Sequence, residues 1–213
     1  MNINKDTKIY CSFSSNPGNN GCIFFNNEFE KQKINAIYKS FYSIDAKKLV
    51  ESVKHLNFSG FALSMPLKID IMNYLDIIDP AAQEIGAVNT VINNNGILSG
   101  YNTDWLGVIK YFEYFPHIDH LTILGDGGFS KAIQYACKKL FVDYNIIKRQ
   151  NWKEIPNILS DELPSTINII FNATPVDVVC DKLIDGRPFT EAGKNIANLQ
   201  AKEQFYLYTG IRI

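Results

Sequence analysis

The sequence predicts an α/β protein of mainly parallel strands, divided into a first unit to about residue 104 and a smaller second unit after it. Short apolar runs alternate with amphipathic stretches along the chain, the pattern of strands joined by helices. A fresh strand-turn-helix pattern starts near Leu121, behind a stretch that reads as a connecting helix. With 46% hydrophobic and only 20% charged residues in a chain of 213, there is enough apolar surface to offset the entropy of folding one large or two small domains.

Lys8 to Phe13 reads as a strand, and the Ser/Asn/Gly/Pro cluster from Ser14 to Gly21 as a loop. Asn35 to Phe41 reads as the second strand. Asp45 to Leu56 carries Leu49, Val50, Val53 and Leu56 at the spacing of a helix packed on a sheet. Phe61 to Met65 gives a third strand, ended by Pro66. Val88 to Ile92 and Ile97 to Tyr101 flank Asn93-Asn94-Asn95-Gly96, which can supply the positive-φ residues of a tight hairpin. Thr103 or Asp104 can cap the helix that follows through Tyr114. The second unit then runs Leu121 to Leu124 (strand), Gly125 to Gly128 (turn), Phe129 to Leu140 (helix) and Tyr144 to Lys148 (strand). Ile167 to Phe171 is a further apolar run ending in Asn172-Ala173-Thr174-Pro175, and a last helix spans about Lys194 to Tyr208. Trp105, Tyr111, Phe112 and Phe115 fit core packing at helical spacing.

Several function classes are excluded. Basic and acidic side chains balance at 21 to 22, so no basic field exists to drive nucleic-acid binding. No run approaches the ~20 apolar residues of a membrane helix, and the start lacks the apolar core of a secretion signal, so a cytoplasmic location is expected. Cys11, Cys22, Cys137 and Cys180 form no Cys-x-x-Cys pair, and His55, His117 and His120 are not at zinc-ligand spacing from them. They read as reduced, mostly buried thiols, with no metal site.

Gly125-Asp126-Gly127-Gly128-Phe129-Ser130 sits between an apolar strand and an amphipathic helix, where a glycine turn can bring backbone amides against a pyrophosphate. The first glycine permits the turn and the second lets the phosphate approach. Ser130 takes the third fingerprint position, and Asp126 sets a negative charge beside the anion. From this loop alone a nucleotide is the favoured reading, with an ordinary strand-to-helix turn as the alternative. Sites that select NAD place an acidic residue at the end of the second strand, about 20 residues on. Here that place holds Lys148-Arg149, which matches a 2′-phosphate and predicts NADP; a solvated basic strand end is the alternative.

Lys68 follows the strand end Ser64-Met65-Pro66-Leu67, and Asp104 stands at the mouth of the connecting helix. Both fall where strands give way to loops or helices, the edge at which open α/β sheets bind ligands. A lysine in a partly desolvated cleft can exchange a proton with a substrate hydroxyl, while a neighbouring carboxylate orients its ammonium. From spacing alone, a surface lysine and a helix cap are the favoured reading of the pair.

Several segments in one order resemble the shikimate dehydrogenase family: Gly60 to Lys68, Gly86-Ala87-Val88-Asn89-Thr90, Tyr101 to Gly107, Gly125 to Ala132, Asn172-Ala173-Thr174-Pro175, and Leu199-Gln200-Ala201 with Gln204-Phe205. The Ser-Met-Pro before Lys68 is similar to the shikimate dehydrogenase-like branch. The resemblance implies an NADP-dependent oxidoreductase that reversibly reduces 3-dehydroshikimate, or a related hydroxylated ring acid, within aromatic amino-acid biosynthesis. It further implies Lys68 and Asp104 as the catalytic pair and Ser64, Asn89 and Gln200 as holders of substrate hydroxyls. By the same resemblance Gly125, Gly127, Gly128, Phe129 and Ser130 form the phosphate loop, Arg149 receives the 2′-phosphate, and Asn172, Ala173 and Thr174 lie beside the nicotinamide ribose.

The chain departs from this pattern in places. Where the family has two serines for the substrate carboxylate, it reads Asn19-Asn20-Gly21-Cys22-Ile23, so weak shikimate affinity or another ligand is expected. Ala62 replaces an asparagine. Val176-Asp177-Val178-Val179, similar to a later family strand, follows almost at once, so the family's loop near the nicotinamide is missing, and so is its final helix. The resulting expectation is a substrate domain over 1–104, a shortened Rossmann-like NADP domain over 105–193 with a cleft between the two, and a helix over 194–213 packing back on the first domain. A small-molecule substrate is the partner, with neither nucleic acid nor membrane and the oligomeric state left open. The rival expectation is a non-catalytic, degenerate paralogue that keeps the cleft without efficient turnover.

Overall fold

A computed structural model of the protein describes residues 3–115, 117–148, 150, 168–180 and 182–213. Two compact units emerge, Met1–Thr103 with Ala201–Ile213, and Asp104–Gln200.

The first unit contains β1 (Lys8–Ser14), α1 (Asn20–Lys31), β2 (Ala36–Tyr42), α2 (Ala46–His55), β3 (Gly60–Leu63), α3 (Leu67–Asp70), a 3-10 turn at Ile71–Tyr74, β4 (Ile77–Ile78), α4 (Pro80–Ile85), β5 (Thr90–Asn94) and β6 (Ile97–Tyr101). Its sheet has the order β2-β1-β3-β5-β6-β4, with β1 parallel to β2 and β3, and β5 antiparallel to both β3 and β6. Side chains alternate across the sheet. Cys11, Phe13, Phe61 and Leu63 enter one core with Leu49, Val50 and Val53 of α2. Tyr10 enters a second, aromatic core with Phe25 and Phe29 of α1, Tyr38, and Phe205 and Tyr208 near the chain's end. Asp45 caps α2 as its helical stripe requires, its carboxylate accepting from Lys48 N at 3.0 Å.

The expected hairpin is present, with Asn94 paired to Ile97 across a two-residue turn. Asn95 and Gly96 both adopt positive φ (52° and 91°), and Asn93 Oδ1 accepts from Gly96 N at 2.8 Å. The stretch Asn20–Lys31, which carries no clear helical signal, is a helix. Its Asn-Asn-Gly start mimics a loop, but Phe25 and Phe29, one turn apart, are buried in the aromatic core.

The second unit contains α5 (Asp104–Phe112), β7 (His120–Leu124), α6 (Gly128–Leu140), β8 (Asp143–Ile147), β9 (Asn168–Asn172), β10 (Leu183–Asp185) and the first part of α7 (Glu191–Thr209); residues of α7 from Ala201 onward belong to the first unit. All its strand pairs are parallel, in the order β10-β9-β7-β8. One face packs Leu121, Ile123, Ile169 and Phe171 on Val108, Phe112, Ile133 and Ile196, with Trp105, Tyr111 and Phe115 against this core. The other face buries Leu124, Ile147, Ile170 and Val178. Residues 176–179, similar in sequence to a strand, pair with no strand among the described residues. Asn172 turns the chain there by donating Nδ2 to Val176 O at 2.8 Å.

The four cysteines stand outside any disulfide among the described residues, Cys11 and Cys137 buried, and burial pushes the Cys137 thiol up to about 12. No helix among the described residues is long and apolar enough to cross a membrane.

Candidate functional site

Each unit carries part of the expected site. In the first, β3 ends at Leu63, and Ser64 N donates to Phe13 O at 3.0 Å, so the next residues emerge at the carboxyl ends of parallel β1 and β3. Ser64 is exposed there. Lys68, the second residue of α3, is half-buried, and its carbonyl accepts from Val88 N at 2.8 Å, which ties α3 to the segment carrying Asn89.

Asn89 is buried and anchored at both ends of its peptide: its carbonyl accepts from Leu63 N at 2.8 Å and its amide donates to Tyr101 O at 3.0 Å. Its side-chain oxygen accepts from Thr103 N at 2.9 Å and Thr90 Oγ1 at 2.8 Å, while Nδ2 donates to Thr103 Oγ1 at 3.1 Å. Gln204 of α7, also buried, donates Nε2 to Thr90 Oγ1 at 2.8 Å. Asn102 Nδ2 closes the neighbouring turn onto Ala87 O at 2.9 Å. The sequence alone does not single out Thr90 or Gln204. The available signal is that Gln204 stands four residues, one helical turn, beyond Gln200.

Asn19 ends the loop after β1, and Asn20, Gly21 and Cys22 form the first turn of α1. The Cys22 thiol lies 3.2 Å from Ser40 Oγ, which donates to Gly18 O at 2.8 Å and accepts from Ser12 Oγ at 3.0 Å. A knot of small polar side chains thus fixes this turn on β1 and β2.

In the second unit Asp104 opens α5 and is buried, and Gln200 of α7 is half-buried with Nε2 on Ala197 O at 3.1 Å. The chain leaves β7 through α6 to β8 on one side, then returns to β9 on the other, so the end of β7 is the topological switch point at which open α/β sheets bind ligands. The glycine turn occupies that point. Gly125 takes φ +104°, and its amide donates to Ile147 O at 2.8 Å, fastening the turn to the strand end just before Lys148. Ser130 is buried and donates Oγ to Gly125 O at 2.7 Å, which accounts for a serine at the third fingerprint position. Among the described residues no side chain caps α6, and a Cβ placed on Gly127 would meet nothing within 4 Å. An uncapped helix start behind open glycine backbone suits a pyrophosphate. Gly128 and Phe129 form its first turn, and Asp126 is exposed beside it. Arg149 lies outside the described residues.

Asn172, Ala173 and Thr174 border the same turn. Asn172 Oδ1 accepts from Thr174 N at 3.0 Å and Thr174 Oγ1 at 2.7 Å, and Ala173 N donates to Leu124 O at 3.0 Å. The methyl group of Thr174 would stand 3.0 Å from a Cβ on Gly125. Among the described residues no group of three or more His, Cys, Asp or Glu side chains could hold a metal ion.

Sheet order and glycine turn define a two-unit α/β protein whose second unit has the topology of dinucleotide-binding domains. Comparison with known proteins narrows the class. The family described as "Shikimate dehydrogenase substrate binding domain" matches residues 21–91. A protein of Haemophilus influenzae named "Shikimate dehydrogenase-like protein" is 40% identical over 139 residues, 64% of this chain and 51% of that protein. "Shikimate dehydrogenase (NADP(+))" of Pyrococcus furiosus is 36% identical over 188 residues, 82% of this chain and 69% of that protein. Among solved structures, a shikimate 5-dehydrogenase-like protein superposes with a TM-score of 0.79 at 30% identity, over 99% of this chain and 94% of the other. The chain belongs to the shikimate dehydrogenase family, and its matching stretch spans about half of the Haemophilus relative's length.

Proposed function

We propose that this protein is an NADP-dependent oxidoreductase acting on a hydroxylated ring acid of the shikimate type. The observation that carries the reading is the conjunction, in one chain of this family, of the open glycine turn at the switch point of the second sheet with the Ser64–Lys68 segment and buried Asn89 of the first. In the reading, Asn89 and Ser64 bind ring hydroxyls, with Gln200 as a further holder, and Lys68 takes or returns the proton of the reacting hydroxyl with Asp104 as its partner. The amides of Gly127, Gly128 and Phe129 hold the pyrophosphate, Lys148-Arg149 takes the 2′-phosphate, and the turn at Asn172 to Thr174 borders the ribose. Bound NADP supplies hydride chemistry; the chain supplies orientation and proton handling.

The test uses the full chain with shikimate and NADP+, following reduced nicotinamide by absorbance. Turnover that disappears in Lys68→Ala supports the reading. No turnover with shikimate, and no effect of Lys68→Ala on oxidation of other ring hydroxy acids, overturns it. The helical turn at Asn20–Cys22, where the family resemblance implies serines, favours one second reading, a binding protein without efficient turnover. Calorimetry separates the two, because nucleotide affinity without hydride transfer selects the second.

A further inference from the structure

Around Asn89 the structure carries more order than holding one amide requires. Its side-chain oxygen takes Thr103 N, Thr103 Oγ1 at 3.3 Å and Thr90 Oγ1 at 2.8 Å. Thr90 Oγ1 has one proton and two lone pairs; Gln204 Nε2 donates to one lone pair at 2.8 Å, and the proton goes to Asn89 Oδ1. The Asn89 carbonyl can only accept, so the donor end of Gln204 faces this pair, the hydroxyl of Thr90 is turned toward Asn89, and the Asn89 oxygen toward Thr90. The same Nε2 lies 3.4 Å from Asn89 O. Gln204 is 4% exposed and Thr90 fully buried, so water does not compete for these bonds.

We infer that Gln204 is a positioning residue: through Thr90 it reinforces the orientation that Thr103 N–H gives the Asn89 amide, and with it the donor or acceptor that Asn89 presents to a substrate hydroxyl. The inference rests on the proposed role of Asn89. Reversing the amide would set Nδ2 against Thr90 Oγ–H and Thr103 N–H, donor against donor, and that opposition is what the relay exploits. Gln204 does not touch the reacting atoms; its effect passes through two side chains. A substrate whose ring hydroxyl pairs with Asn89 therefore meets an amide oriented before it arrives, and loses less freedom on binding.

The test is a double-mutant cycle on the full chain, with shikimate as the probe in calorimetry. Gln204→Leu keeps the bulk and removes the donor; Gln204→Glu keeps the shape and presents an acceptor, drawing the Thr90 proton away from Asn89. Each is expected to weaken shikimate about three- to tenfold, the worth of roughly one hydrogen bond, and to leave affinity unchanged in an Asn89→Ala background. Equal losses in both backgrounds assign Gln204 a purely structural role and overturn the inference. A second readout needs no ligand. The Asn89 side-chain amide gives one sharp pair of NMR signals in the wild type, and these broaden or double in Gln204→Leu and Thr90→Val. An unaltered pair in both variants overturns the inference as well. If the wild type does not bind shikimate, the substrate reading falls, and the amide spectrum alone decides the positioning.

Discussion

The ring of Tyr208 closes on Gly60 so tightly that a Cβ at position 60 would stand 3.0 Å from its Cε1 and 2.8 Å from the carbonyl oxygen of Val91. Val91 belongs to β5, which pairs with β3 through Phe61, so its carbonyl cannot move without breaking the sheet. Gly60→Ala should cost about 1–3 kcal/mol of stability by overpacking, read as a lower urea midpoint. An unchanged midpoint contradicts this.

Two tyrosines of the same core should respond in opposite ways to loss of the hydroxyl. Tyr208 Oη is buried with no hydrogen-bond partner among the described residues, whereas Tyr10 Oη donates to Tyr208 O at 2.9 Å. Burial raises the pKa of both phenols, so each is neutral at ordinary pH. Tyr208→Phe is expected to be neutral or stabilising, and Tyr10→Phe to lose about 0.5–1.5 kcal/mol. Chemical denaturation of the pair checks the order; the reverse order refutes it.

Asp76, just before β4, links two elements. Its Oδ2 accepts from Leu98 N of β6 at 2.7 Å and from Lys54 Nζ of α2 at 3.1 Å, and the first of these bonds, aided by the lysine, holds its pKa below the usual carboxylate value. A depressed folded pKa stabilises above the unfolded value and ceases to do so as pH falls through the folded one. Asp76→Asn should therefore lower Tm at neutral pH, with the gap from wild type narrowing below about pH 4. A gap that stays constant into acid would assign the loss to another cause.

The glycine turn offers a separation of binding from folding. Gly127 has extended backbone (φ −78°, ψ −177°) with open space at its Cβ, so Gly127→Ala should leave Tm unchanged while weakening NADP about tenfold or more by blocking the pyrophosphate. Gly125→Ala should lower both, since φ +104° and the Thr174 methyl group strain any side chain by about 1–3 kcal/mol. Undiminished NADP affinity in Gly127→Ala counts against this turn as the cradle.

Where the signal was local, the fold was legible in the residues. Asp45 and the Leu49, Val50, Val53 stripe announce α2, and Asn95-Gly96 announces the hairpin, because cap, stripe and turn are each complete within a few positions. The helix α1 was not legible. Its start is rich in turn-forming residues, and what holds it, Tyr10, Tyr38 and Phe205, comes from elsewhere in the chain. The site divides in the same way. Gly125 and Gly127 stand out beside an apolar strand, while Asn89 stands out only through family resemblance, and its tie to Gln204 through Thr90 bridges 114 residues that no spacing rule connects.

The aromatic core of the first unit joins two parts of the sequence that lie far apart, Tyr10 and Tyr208 being separated by 198 positions. On the ribosome, Phe25, Phe29 and Tyr38 emerge early and stay wet until Phe205 and Tyr208 have been translated. Closing so large a loop is slow, and a sticky nascent surface invites association in the meantime. Stalled or prematurely ended translation products of this chain are expected to need chaperones, and to aggregate where the finished protein does not.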